Sequence, residues 1–162
     1  GGVTWFLPPE DKSYTSIVEF KDILARALGG RLAEQIIYGS DRVTTGAGSD
    51  LQHVSGIARD MIMEQGMGTK LRNQVFHEDE GGMMFEKITH ERPYSDETAK
   101  EIDKEVADLI QEAARRAEAV ILKNRTSLDM LAKELLKEET LEENQVAEIL
   151  KDTVLPKEAK LY

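Results

Sequence analysis

TTGAGSDLQHVSGIARDMIMEQGMG, residues 44–68, joins a glycine-rich approach to a strong helix start. Ser49 has the side chain of an N-cap, and Gln52, three residues on, completes a capping box. Leu51, Val54, Ile57, Ala58, Met61 and Ile62 then recur at the spacing of one helical face. Gly66 stands where a left-handed C-terminal cap is wanted. Asp50 is therefore fixed at the mouth of an amphipathic helix, where the macrodipole favours an acid. That is a good way to hold a metal ligand, and also an ordinary way to begin a helix. The local residues leave both readings open.

Upstream, Ser16 with Glu19 forms a further capping box. Ile17, Phe20, Ile23, Leu24, Ala27 and Leu28 follow as one apolar stripe. Gly29-Gly30 should interrupt it, at roughly 1 kcal/mol each. Yet Leu32, Ala33, Ile36 and Ile37 keep the same period, so the sequence predicts one helix from Ser16 to about Tyr38. The two glycines would then admit another backbone closely; a helix–turn–helix is the alternative. Gly39 stops it. Before it, Val3, Thr4, Trp5 and Phe6 favour a short strand over Gly1–Leu7, ended by Pro8-Pro9. Such a strand either covers the core or forms an edge on which an extended peptide pairs. A strand opening the chain needs partner strands.

Downstream, Val75-Phe76 and Met83-Met84-Phe85 flank an acidic, glycine-containing run, which reads as a small hairpin or irregular segment. Ser95 caps a helix of roughly 30 residues carrying Ile102, Val106, Leu109, Ala113, Ala117 and Val120. Arg125-Thr126-Ser127 is expected to cap a shorter helix, and Thr140 with Glu143 a last one. Long helix, short loop, helix, loop, helix describes an up-and-down bundle whose apolar stripes, Met130 included, form core. The predicted fold is mainly α: a helical bundle with a short N-terminal strand and a small irregular or hairpin segment in the middle. One domain is expected over residues 1–162, with a first half at 1–92 and a helical bundle at 93–162.

A chain of 162 residues is long enough for a real core. It has no stretch of 18 apolar residues, so none of it is expected to span a membrane. Cysteine is absent, which removes disulfides and thiolate ligands or nucleophiles. The net charge of −10, with no basic stripe, argues against nucleic acid as a partner. A zinc peptidase needs two imidazoles one helical turn apart, a glutamate between them and a third ligand. The histidines are His53, His77 and His90; no pair has that spacing and no His-Glu-x-x-His occurs. No Gly-x-Ser-x-Gly elbow and no phosphate-binding loop occurs either. His53 shares a helix face with Asp50; it reads as a solvated or core-edge histidine, with a weak two-ligand site as the alternative. His77 and His90 read as surface or packing residues. Read alone, the chain holds no complete active site.

Leu28-Gly29-Gly30-Arg31-Leu32-Ala33-Glu34-Gln35, Thr44 to Leu51, and Gly66-Met67-Gly68, in that order, resemble the peptidase domain of the FtsH family of membrane-anchored, ATP-dependent zinc metalloproteases. The resemblance runs from Gly2-Val3-Thr4-Trp5-Phe6-Leu7-Pro8 to the last helix. It implies that the His-Glu-x-x-His helix lies a few tens of residues before the Gly2–Leu7 match, and that this chain begins after it. It also implies that Asp50, the aspartate of the Thr-Gly-Ala-x-x-Asp stretch, is the third zinc ligand. Ser49 replaces the usual Asn, and Gly68 the Ser that usually follows Gly-Met. The intact protein would carry Zn2+, bind ATP with Mg2+ in a preceding ATPase domain, assemble as a homo-hexamer and degrade unfolded or unassembled proteins. It would sit in a bacterial inner membrane or an organelle membrane through N-terminal segments, its peptidase domain on the cytoplasmic, matrix or stromal side. This portion by itself would be soluble, inactive and free of zinc. The competing expectation is a non-catalytic helical oligomerisation or interaction module, a relative without a zinc site.

Overall fold

The Ser16 hydroxyl accepts the Glu19 N–H at 3.3 Å while the Glu19 carboxylate accepts the Ser16 N–H at 2.9 Å, so the predicted capping box closes. It opens α1, Ile17–Tyr38, in the computed structural model of the chain, which describes residue 4, residues 14–76 and residues 93–161. Gly39 ends α1 at φ +88°, a conformation that costs a side-chained residue strain. The helix runs unbroken through Gly29 and Gly30. No described atom comes within 4 Å of a Cβ built at either glycine, so the expected close approach of a second backbone is not made by any described residue. The helix tolerates the glycines because its packing face is elsewhere, on Leu24 and Leu28.

α2 spans Gly48–Met63. Here the structure corrects the sequence reading: Ser49 lies inside the first turn and caps nothing, and the N-cap is Ala47, without a side-chain bond. The reason is the chain that enters the helix. A 3-10 turn, Thr45–Ala47, runs directly into α2, and the Gly48 N–H already donates to the Thr45 carbonyl. With the helix already begun at Gly48, Ser49 is its second residue and no longer stands at the position from which a side chain caps the first turn. At the other end Gly66 has φ +58°, as expected of a left-handed residue, and Met67 donates its N–H to the Met61 carbonyl at 2.8 Å.

α3, Asp96–Lys123, starts on the Ser95 hydroxyl, which accepts the Thr98 N–H at 3.2 Å. α4 is Arg125–Glu138 and α5 is Glu143–Leu150. Their starts differ from the predicted ones. Asn124, not Arg125-Thr126-Ser127, is the N-cap of α4, and its side chain is occupied by the Val154 backbone instead. Glu142, not Thr140, precedes α5, with its N–H bonded to the Gln145 side chain at 2.8 Å.

The core is a three-helix contact. Leu24 and Leu28 of α1, Val54, Ala58 and Met61 of α2, and Ala113 of α3 form one buried cluster; Ile62, Met63 and Ile102 form a second. Leu51, placed first on the α2 stripe, is instead 38% exposed. α4 and α5 pack on one another and bury no residue completely. Met130, expected in the core, is half-exposed, because α4 lies outside the three-helix cluster. The predicted mainly helical fold therefore holds, as a three-helix core with an appended helix pair. The described residues contain no strand. The strand expected over Gly1–Leu7 falls outside them except for Thr4, which is not in a strand, and the expected hairpin beyond Phe76 also lies outside them.

Two charged residues hold this arrangement from within. Glu105, 6% exposed, accepts the N–H groups of Thr69, Lys70 and Leu71 at 2.6, 2.7 and 3.1 Å, tying the loop after α2 to α3. Arg116, 9% exposed, donates to the carbonyls of Ala159 and Lys21 and to the Asp22 carboxylate. A buried charge survives only when so paired.

Candidate metal-ligating site

Asp50 occupies the third position of α2 and is the acid of its first turn. Its side chain is exposed, and among the described residues no hydrogen bond or ion pair uses its carboxylate. A first-turn acid faces the positive end of the helix dipole, and a carboxylate oxygen is a cation ligand. His53, one turn on, is exposed as well. His77 and His90 lie outside the described residues.

The loop leading to Asp50 is fixed by α1. The Glu34 carboxylate accepts both the Thr44 N–H, at 3.1 Å, and the Thr44 hydroxyl, at 2.8 Å. Arg31, one turn earlier, donates to the Thr44 carbonyl at 2.9 Å. The Thr44 hydroxyl in turn accepts the Gly46 N–H at 3.2 Å, which starts the 3-10 turn. The Thr44 backbone N–H, then its hydroxyl, hold the Glu34 carboxyl below its ordinary value of 4.5. Because the folded state depresses it, the clamp is at full strength above that value and is lost as pH falls through the lower, folded one.

In the sequence, Arg31 and Glu34 stand out only as members of the Leu28–Gln35 stretch, with no role of their own. The available signal was their spacing, which places both on one helix face, but nothing in the sequence pairs that face with Thr44. Glu105 and Arg116 were missed for a different reason. Each is a charge set among the α3 apolar positions, Glu105 beside Ile102 and Val106, Arg116 beside Ala113 and Ala117. A charge inside an apolar stripe is a legible request for a buried partner.

The donor chemistry fits a metal in part. A free carboxylate such as Asp50 suits zinc as one ligand, at roughly 2.0–2.2 Å. Among the described residues no group of three or more His, Cys, Asp or Glu side chains converges to complete a coordination sphere. Nor is any described helix long and apolar enough to cross a membrane.

The description of Peptidase family M41 matches residues 1–149. "ATP-dependent zinc metalloprotease FtsH 3" of Synechocystis sp. is 40% identical over 154 residues, covering 93% of this chain and 25% of the relative. "ATP-dependent zinc metalloprotease FtsH" of Chloroflexus aggregans is 42% identical over 153 residues, 93% of this chain and 23% of the relative. The protein of the same name in Bacillus subtilis is 39% identical over 158 residues, 96% of this chain and 24% of the relative. The chain thus spans about a quarter of the length of these curated relatives. α1 with its internal Gly29-Gly30, the turn that delivers Asp50, α2, α3 and α4 all fall inside the matched span, and the chain belongs to peptidase family M41.

Proposed function

We propose that this chain is part of the zinc endopeptidase domain of an ATP-dependent, membrane-anchored protease, forming one domain over residues 1–162, and that Asp50 supplies a carboxylate ligand to its zinc. The observation that carries this reading is Asp50 itself, exposed in the first turn of α2 with no described partner for its carboxylate. The names of the relatives support zinc and ATP dependence as properties of the whole protein. The family resemblance supports the remaining ligands, two imidazoles and a general-base glutamate from a His-Glu-x-x-His helix. It also supports ATP with Mg2+ in an ATPase domain, a homo-hexameric ring, and unfolded or unassembled proteins as substrates. Zinc held by those ligands would supply Lewis acidity, bringing the pKa of water towards about 7. In this chain Asp50 would supply a carboxylate oxygen to the metal, and α1 keeps the approach loop in place. By itself the chain supplies one ligand and is inactive.

The test compares Asp50→Asn and Asp50→Ala in a protein carrying these residues together with the His-Glu-x-x-His helix. Both variants are expected to lose bound zinc and casein cleavage while continuing to hydrolyse ATP. Undiminished zinc content and cleavage would remove Asp50 from the metal and leave it a helix start.

A further inference from the structure

We propose that Glu34 is a positioning residue for the metal site: by clamping Thr44 from α1 it sets the position of Asp50. This rests on the reading of Asp50 as a metal ligand. Every polar group of Thr44 is engaged. Its N–H and hydroxyl go to the two oxygens of Glu34, its carbonyl goes to Arg31, and its hydroxyl oxygen also accepts from Gly46. From Thr44 the chain has no slack. Thr45–Ala47 is a 3-10 turn, Ala47 is buried, and Gly48 is already the first residue of α2. A displacement of Thr44 is therefore passed through one rigid turn into the first turn of α2, where Asp50 sits.

The clamp lies at the solvent edge and adds little to global stability, since exposed polar pairs contribute little. A metal ligand is sensitive to far smaller changes, with tolerance of about 0.5 Å. Loss of groups that orient ligands typically weakens metal binding about 10–100-fold. The depressed Glu34 carboxyl agrees with an ionised clamp at neutral pH. A purely structural Glu34 would instead lower the melting temperature along with any loss of metal.

The test measures the Zn2+ dissociation constant by chelator competition, again in a protein that carries these residues and the His-Glu-x-x-His helix. Amide exchange over Thr44–Gly48 is measured alongside. Glu34→Ala and Thr44→Val are each expected to weaken Zn2+ binding about 10-fold or more, with an unchanged melting temperature. They should lower kcat at constant KM and speed exchange at Thr44–Gly48 at least ~10-fold. Thr44→Ser, which keeps the hydroxyl, should restore the affinity lost in Thr44→Val. If Asp50→Asn abolishes zinc binding while Glu34→Ala leaves affinity and exchange unchanged, the clamp is overturned and the Asp50 reading stands. Affinity falling only in step with the melting temperature overturns the positioning role in favour of a structural one. If Asp50→Asn retains full affinity, the Asp50 reading fails, and the positioning of a ligand by Glu34 fails with it.

Discussion

A methyl group at position 68 has no room beside the buried carboxylate of Glu105. A Cβ built on Gly68 lies 2.3 Å from one Glu105 oxygen and 3.3 Å from its carboxyl carbon. The side chain cannot swing away freely, because its two oxygens accept the N–H groups of Thr69, Lys70 and Leu71. Moving it leaves a buried carboxylate and several amides unpaired, and hydrogen bonds to a charged group are worth about 1.5–3 kcal/mol each. Gly68→Ala is accordingly expected to cost about 2 kcal/mol, read as a lower urea midpoint at constant slope. The cost should nearly vanish in a Glu105→Ala background, because the clash is with that one side chain. Additive losses in the double variant would place the strain in the backbone of the loop instead.

At the scale of the element, α1 shows what was legible and what was not. Its start, length and stop could be read from Ser16, Glu19, the apolar period and Gly39, because each acts within a few residues of itself. The start of α2 could not be read correctly, because the capping value of Ser49 depends on whether the helix begins after it or before it. The 3-10 turn at Thr45–Ala47 leads straight into the helix at Gly48, one residue before Ser49. Asp50 was legible as a first-turn acid; the clamp that holds its approach was not, since Glu34 and Thr44 meet only through the return of the chain after Gly39. Gly29-Gly30 marks the same limit. Their persistence inside a helix suggested a close neighbour, and none of the described residues is one. With open space around it, Gly30→Ala is expected to stabilise this chain by about 0.5–1 kcal/mol, through reduced backbone entropy of the unfolded state. A calorimetric melt would register this as a rise of a few degrees. A fall would mean that another segment packs on that face and that the close-approach reading was right.

At the scale of the molecule, the helices after α3 present a question the hydrophobic core does not answer, since α4 and α5 bury nothing completely. The chain beyond them returns to α3 and is fastened there by polar contacts. Val154 exchanges two backbone hydrogen bonds with the Asn124 side chain, at 2.7 and 2.9 Å. The last turn, Lys157–Ala159, puts Ala159 at 2% exposure, with its carbonyl 3.0 Å from the Arg116 Nε. The same guanidinium reaches the Lys21 carbonyl and Asp22, so a single α3 residue joins α1 and the C-terminal turn. A planar, five-donor fork reaches three separated acceptors from three different nitrogens; a lysine ammonium offers its donors from a single nitrogen and cannot span them. Arg116→Lys is therefore expected to cost about 1.5–3 kcal/mol, despite keeping the charge. It should also release Ala159 and Lys160, whose N–H groups otherwise bond back to Pro156 and Lys157, to exchange at the rate of a fraying end. Arg116→Met, which fills similar volume without donors, should behave the same way, because the acceptors are left bare in both. If both variants melt like the parent chain and protect the last turn equally well, the burial of Ala159 alone holds the C-terminal segment, and the guanidinium is incidental to it.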